Sequence, residues 1–110
     1  MADAGVDCIK LIEQDQMAMD EVKAVVDETH RHNSTVVAHS HRPEEIRRGL
    51  LAGVDSFEHT DHTTAPEYQE NVMTMLKKRT ATGKKMFWTT TIEDLWNCEY
   101  NRSRLPRIFR

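Results

Sequence analysis

The chain has 110 residues, of which 38% are hydrophobic and 30% are charged, and its formal net charge is −3. This length and composition are typical of one small globular domain. Because acidic and basic residues are interleaved, the sequence predicts no basic surface of the kind that binds nucleic acid.

Three further features bear on cellular location. The sequence has no run of about 18 apolar residues, so no membrane span is predicted. The start, Met1–Ala4, lacks the basic and apolar regions of a signal peptide. Cys8 and Cys98 lie far apart without metal-type spacing, and two thiols without an export signal favour a reducing compartment. The sequence therefore predicts a cytoplasmic protein.

Strand-like runs alternate with helix-like periods along the chain. Strands are predicted at 6–12, 35–38, 56–60 and 86–91, and helices at about 15–32 or 17–32, 42–52 and 65–82. A short helical turn is expected at 92–96. Residues 101–110, with four arginines and one proline, are predicted to be an irregular basic tail after a domain that covers 1–100.

A short repeat marks two equivalent points in this rhythm. The tetrapeptide Ala-Gly-Val-Asp occurs at 4–7 and again at 52–55. Each time the glycine stands where a helix ends in the left-handed conformation, and a strand follows. Only four residues precede Gly5, too few for a helix, so the chain is expected to begin inside a structural unit.

The alternation of strands and helices predicts an α/β fold with a parallel sheet. Two architectures fit, an open doubly wound sheet and part of a (β/α)8 barrel. Lys10, His39 and His59 lie at successive predicted strand ends, where barrel enzymes place their active sites. Residues 11–16 lack the glycine-rich turn of a dinucleotide-binding sheet. We therefore predict about half of a barrel, and an open flavodoxin-like domain that binds a small ligand remains an alternative.

The segment Thr35–His41 carries the strongest chemical signal. Residues i and i+2 of a strand point to the same face, so His39 and His41 are predicted to project together. Two imidazoles suit a metal ion or an anionic substrate, although they are also compatible with ordinary polar residues at a strand end. The sequence does not decide which residue of the third strand shares the face of Lys10. Lys10 follows Gly5 by five residues, whereas His59 follows Gly53 by six. Alternation would place Glu58, not His59, on the face of Lys10 unless a bulge intervenes.

Three segments together resemble the metal-dependent amidohydrolase superfamily, in its imidazolonepropionase-like and prolidase-like branch. They are Gly5–Lys10 (GVDCIK), Val36–His41 (VVAHSH) and Ala52–His59 (AGVDSFEH). The resemblance covers about residues 1–91 and implies barrel strands four to seven. It implies that such a protein hydrolyses amide or peptide-like C–N bonds in a dipeptide or an N-acyl amino acid.

The resemblance also implies roles for individual residues. Lys10 would be carboxylated and bridge two divalent metal ions, with zinc expected, while His39 and His59 would bind the second ion. Read alone, Lys10 is equally a lysine that extends to solvent at a strand end. The remaining expected residues are His41, His62 and Tyr68 for substrate contact and Glu58 for a hydrogen bond that orients a ligand.

Two parts of the family pattern are not found in this sequence. They are the His-x-His pair of strand one and the aspartate of strand eight, which would serve as ligand and general base. We therefore expect the isolated chain to be catalytically inactive. The alternative is a non-catalytic half-barrel or metal-binding module that forms homo-oligomers through exposed barrel edges.

Overall fold

The computed structural model describes residues 4–60 and 69–89. The described part contains four strands, three α-helices and one short 3₁₀ helix. The strands are β1 (Cys8–Leu11), β2 (Thr35–His39), β3 (Ser56–Glu58) and β4 (Phe87–Thr89). The helices are α1 (Met19–Arg31), α2 (Pro43–Ala52) and α3 (Glu70–Ala81), and the 3₁₀ helix is Gln14–Gln16.

The four strands form one parallel sheet in the order β1-β2-β3-β4. Each strand therefore pairs with the next one along the chain, and a helix follows each of the first three strands. This confirms the prediction of an α/β fold built from strand–helix units. Within the described residues β1 and β4 are the edge strands of the sheet.

The two faces of the sheet differ in burial. On one face Val36, Ala38 and Phe57 are fully buried beneath the helices. Alternation places Lys10 and His39 on the opposite face, which we call the inner face, and neither is buried. Ten residues form the hydrophobic core: Leu11, Val22, Val26, Val36, Ala38, Ile46, Ala52, Val54, Phe57 and Val72. All the described helices thus stabilise one face of the sheet.

The helix boundaries differ in part from the predicted ones. The first helix begins at Met19 because a 3₁₀ helix occupies Gln14–Gln16. Gln14 is fully buried there and its Nε2 donates a hydrogen bond to the carbonyl of Glu45 at 3.0 Å. This contact joins the segment after β1 to the start of α2, and so fixes the loop that borders the inner face.

Helix ends follow the predicted signals more closely. Asn33, after α1, has a φ of 58°, and Gly53, after α2, has a φ of 91°. A positive φ favours glycine and tolerates asparagine, so both residues end their helices, and this was expected of the glycine. The predicted start of α3, the end of the fourth strand, the turn at 92–96 and the tail at 101–110 fall outside the described residues. Among the described helices none is long and apolar enough to cross a membrane.

One side-chain contact connects three elements at the amino-terminal end of the sheet. His30 Nε2 lies 2.7 Å from Asp55 Oδ2, and the same oxygen accepts a hydrogen bond from the backbone N–H of Val36 at 2.8 Å. His30 thus binds the aspartate of the second Ala-Gly-Val-Asp repeat. This contact links α1, β2 and the start of β3 on the side away from the histidine cluster.

Candidate functional site

The candidate site is formed by the carboxyl-terminal ends of β1, β2 and β3. Pairing aligns Lys10 with Val37 and aligns His39 with Glu58. His39 therefore lies two residues beyond the level of Lys10, on the same inner face. Parallel pairing brings these side chains together although 29 to 48 positions separate Lys10 from the other two.

Three imidazole rings meet at this edge. The His39 and His41 rings stack with their centroids 4.1 Å apart, and the His39 and His59 centroids are 4.5 Å apart. The His41 and His59 centroids are 5.6 Å apart. The structure thus brings together three of the histidines that the sequence singled out.

His59 reaches this cluster through an unusual backbone conformation. The strand β3 ends at Glu58, and His59 has a φ of 60°. A left-handed residue directly after a strand interrupts the alternation of side chains, which is why His59 and Glu58 both face the side of His39. This conformation explains why His59 follows Gly53 by six residues whereas Lys10 follows Gly5 by five, although both side chains lie on the inner face. Non-glycine residues in this region occur disproportionately at functional sites.

Lys10 is bound to an acidic neighbour. Its Nζ donates a hydrogen bond to Glu58 Oε2 at 2.6 Å, and the two side chains are 42% and 31% exposed. The pair spans two strands, β1 and β3, across the inner face of β2. Because both groups are partly solvated, the contact contributes modestly to stability. Its consequence is positional, since it holds the Lys10 side chain against a carboxylate on the inner face.

The cluster keeps the His39 imidazole neutral. Desolvation by burial lowers the pKa of His39 below its ordinary value of 6.5, and positive charge on His59 and Lys10 lowers it further. A neutral imidazole has a free lone pair for a metal ion or a proton. The environment of His39 therefore favours a role as a ligand or a base.

This shift predicts the pH behaviour of the metal-free chain. Below pH 6.5 the unfolded state binds the His39 proton more readily than the folded state, so His39 contributes stability that falls as the pH drops through this range. We expect the His39 ring to titrate below 6.5 in an NMR pH titration with a chelator present. In His59→Ala the His39 pKa should rise but stay below 6.5, because the larger, desolvation contribution remains. An unchanged His39 pKa in this variant would contradict the described cluster.

A cavity of about 450 Å³ opens beside the histidines. It is lined by Ile12, Glu13, His39, His41, Arg42 and Glu45. Four of these residues were not predicted as site residues from the sequence: Ile12, Glu13, Arg42 and Glu45. From the sequence, Arg42 and Glu45 were assigned only to the start of a helix. Their position shortly after His41 could have indicated that they line the same site. Glu13 gave no local signal.

The donor set suits a metal ion in part. His39 and His59 are neighbouring imidazoles, which zinc commonly binds. Lys10 does not fit as a ligand in its ammonium form, since an ammonium repels a cation. In the ranges 4–60 and 69–89, no three His, Cys, Asp or Glu side chains are arranged to hold a metal ion. The other predicted substrate residues, His62 and Tyr68, lie outside the described residues.

No family model and no curated protein matches this chain. Several solved structures do match this chain. A protein from Bifidobacterium longum, assigned provisionally as a prolidase, is 26% identical with a TM-score of 0.63. The A. niger ochratoxinase is 24% identical with a TM-score of 0.63, and a Xaa-Pro dipeptidase with bound methionine in its active site is 21% identical with a TM-score of 0.64.

In each comparison 97% of this chain is matched, but only 25% to 28% of the other chain. The chain thus spans about a quarter of the length of these solved structures. Its mixed α/β architecture agrees with part of their fold. This structural similarity supports the resemblance of the sequence to prolidase-like amidohydrolases, at the level of the fold.

Proposed function

We propose that the chain is part of a metal-dependent amidohydrolase that cleaves the C–N bond of a dipeptide or an N-acyl amino acid. The observation that carries the proposal is the meeting of the His39 and His59 rings at adjacent ends of parallel strands, with Lys10 bound to Glu58 on the same face. Active sites of barrel enzymes lie at this end of the strands. The fold likeness to a prolidase-type protein supports the same chemistry.

In this proposal His39 and His59 hold one divalent ion, with zinc as the expected metal. Their rings lie together, with centroids 4.5 Å apart, and the lowered pKa of His39 weakens competition from a proton. A bound zinc ion would supply Lewis-acid polarisation of the amide carbonyl and acidify a water molecule. His41, stacked on His39, is then available for the substrate side.

Lys10 needs a change of state for its proposed role. Addition of CO2 to the Lys10 amine, with release of two protons from the ammonium, would give an anionic carbamate, and the attraction to Glu58 would become repulsion. The Lys10–Glu58 contact would therefore have to open before Lys10 could serve as a metal ligand. Glu58 would then be free to accept a hydrogen bond from a ligand, as the sequence analysis proposed.

Hydrolysis assays test this proposal. The 110-residue chain, supplied with zinc and bicarbonate, is expected to leave a panel of dipeptides and N-acyl amino acids uncleaved. The reason is that its sequence supplies neither the His-x-His pair nor the general-base aspartate that the resemblance requires. Robust turnover that His39→Ala abolishes would contradict the expected inactivity.

The flanking coding sequence offers the complementary test. It is expected to encode a His-x-His motif upstream and an aspartate after a further strand downstream. The corresponding longer protein should hydrolyse members of the same panel, and His39→Ala should lower its kcat at least about 10-fold because a direct ligand matters no less than its supporting groups. A longer protein with the motifs that leaves every amide intact would overturn the proposed function.

A further inference from the structure

A second cavity lies between α2 and α3, away from the strand-end histidines. Its volume is about 370 Å³, which suits a small ligand. The described side chains that line it are Leu50, Leu51, Met75, Lys78, Arg79 and Thr82. The cavity thus combines an apolar wall with two basic groups, and none of these lining residues is acidic.

The apolar wall is open to solvent. Leu51, in the last turn of α2, is 51% exposed, and Leu50 and Met75 are half-buried. A hydrocarbon group placed against this wall would be held there, because contact removes apolar area of both partners from water.

The two basic groups lie in the last turn of α3. Arg79 Nη2 donates a hydrogen bond to the carbonyl of Val54 at 3.1 Å, whereas its Nε is buried without a hydrogen-bond partner among the described residues. Lys78 is exposed. Neither side chain forms an ion pair with a carboxylate of residues 4–60 or 69–89. The cavity therefore carries two positive charges that no ion pair within these ranges compensates.

We propose that this cavity binds a small amphipathic carboxylate, with its hydrocarbon part on Leu51 and Met75 and its carboxylate at Lys78 and Arg79. Hydrogen bonds between cationic donors and a carboxylate are stronger than those between neutral groups. Arg79 contacts Val54, which precedes β3, whereas the histidine cluster lies at the opposite, carboxyl-terminal ends of β2 and β3. The site is therefore separate from the histidines, and the inference is independent of the proposed function.

Binding of three small ligands to the metal-free 110-residue chain tests the proposal. Hexanoate carries both features of the ligand, hexanamide has nearly the same shape without the charge, and acetate has the charge without the chain. The backbone amide signals of Leu51 and Lys78 are followed by NMR. We expect saturable shifts with hexanoate and a preference over hexanamide of roughly 2- to 30-fold, the range that two ion pairs at a surface supply. Hexanoate should bind at least roughly 4-fold more tightly than acetate, the effect of burying one CH₂ group.

Two pairs of matched variants complete the experiment. Lys78→Gln should lower the preference for hexanoate over hexanamide by roughly 2- to 5-fold, whereas Lys77→Gln, at an exposed position outside the cavity, should retain it. Leu51→Gln should weaken hexanoate binding by at least roughly 2-fold through loss of apolar contact. Met73→Gln, at a partly exposed residue of α3 that does not line the cavity, should leave hexanoate binding unchanged.

Several results would overturn the proposal. They are the absence of saturable shifts at Leu51 and Lys78, equal affinity for hexanoate and hexanamide, equal affinity for hexanoate and acetate, and a preference that survives Lys78→Gln. Saturable shifts confined to the residues around His39 would also overturn it, because the carboxylate would then bind at the histidine cluster.

Discussion

Replacing Phe57 with alanine is expected to lower the free energy of unfolding by about 3–5 kcal/mol. Phe57 lies in the middle of β3, is fully buried, and contacts Trp88 of β4 with ring centroids 5.5 Å apart. Its removal leaves a cavity between the sheet and α2. Because small domains have only about 5–15 kcal/mol of stability in total, this change should shift the midpoint of the urea unfolding transition to a much lower urea concentration.

Phe87→Ala is the matched control for this prediction. Phe87 lies in β4, and 63% of its surface is exposed, so its loss should change the free energy of unfolding by no more than about 0.5 kcal/mol. If Phe57→Ala does not fold, Phe57→Leu keeps the test measurable, with an expected cost below about 1.5 kcal/mol. Equal effects at the two phenylalanines would contradict the described faces of the sheet.

Gly49 sets the distance between α2 and Phe57. A Cβ atom at this position would lie 2.6 Å from Phe57 Cε1. Alanine ordinarily favours a helix over glycine by up to about 1 kcal/mol, but overpacking of this kind costs about 1–3 kcal/mol. The steric conflict therefore outweighs the gain in helix propensity. Combined with Phe57→Leu, Gly49→Ala should lose part of its cost, because the two side chains share one space.

The second large effect is expected at the histidine cluster. His39→Ala should lower the zinc affinity of the chain at least roughly 10-fold, since even groups that only support a ligand change affinity by 10- to 100-fold. His39 has His41 and His59 as neighbours, so its loss removes the centre of the cluster. A competition titration against a chromophoric chelator measures the affinity.

His32→Ala is the control for that titration. His32 follows the end of α1, and its Nε2 lies 3.0 Å from Glu28 Oε1, on the helix surface. Removing this imidazole changes the histidine content equally without touching the strand ends. The zinc affinity should stay unchanged, and a loss as large as in His39→Ala would indicate that zinc binds histidines without selectivity.

The succession of strands and helices was predictable because it depends on local periodicity. Runs such as Thr35–His39 and the spaced valines of α1 carry the signal within a few residues, and the structure confirms both elements. The positive φ predicted for Gly53, after α2, was also confirmed. These features need no information about distant parts of the chain.

Other features depend on partners that are far apart in sequence. The 3₁₀ helix at Gln14–Gln16 is held by a bond from Gln14 to the backbone of Glu45, 31 residues away. The Lys10–Glu58 pair spans 48 residues and requires the register of three strands. Glu58 follows Gly53 by the same five residues that separate Lys10 from Gly5, so the sequence indicated that the two positions are equivalent. Only the paired sheet shows that the two side chains meet.

His59 illustrates a different limit. The run 56–60 was interpreted as one strand, yet β3 ends at Glu58 and His59 adopts a left-handed conformation. A positive φ is uncommon in any residue other than glycine, even though histidine adopts it more often than most, so composition could not reveal it. The requirement that both Glu58 and His59 face the inner side pointed to an irregularity, and the backbone supplies it.

The proposed metal site consists of the strand-end histidines. A long-range ¹H–¹⁵N NMR spectrum of the imidazoles, recorded as zinc is added to the 110-residue chain, tests this proposal. We expect saturable shifts of the ring nitrogens of His39 and His59, while His30 and His32 stay unchanged. Shifts confined to His30 and His32, or no saturable change at His39 and His59, would contradict it.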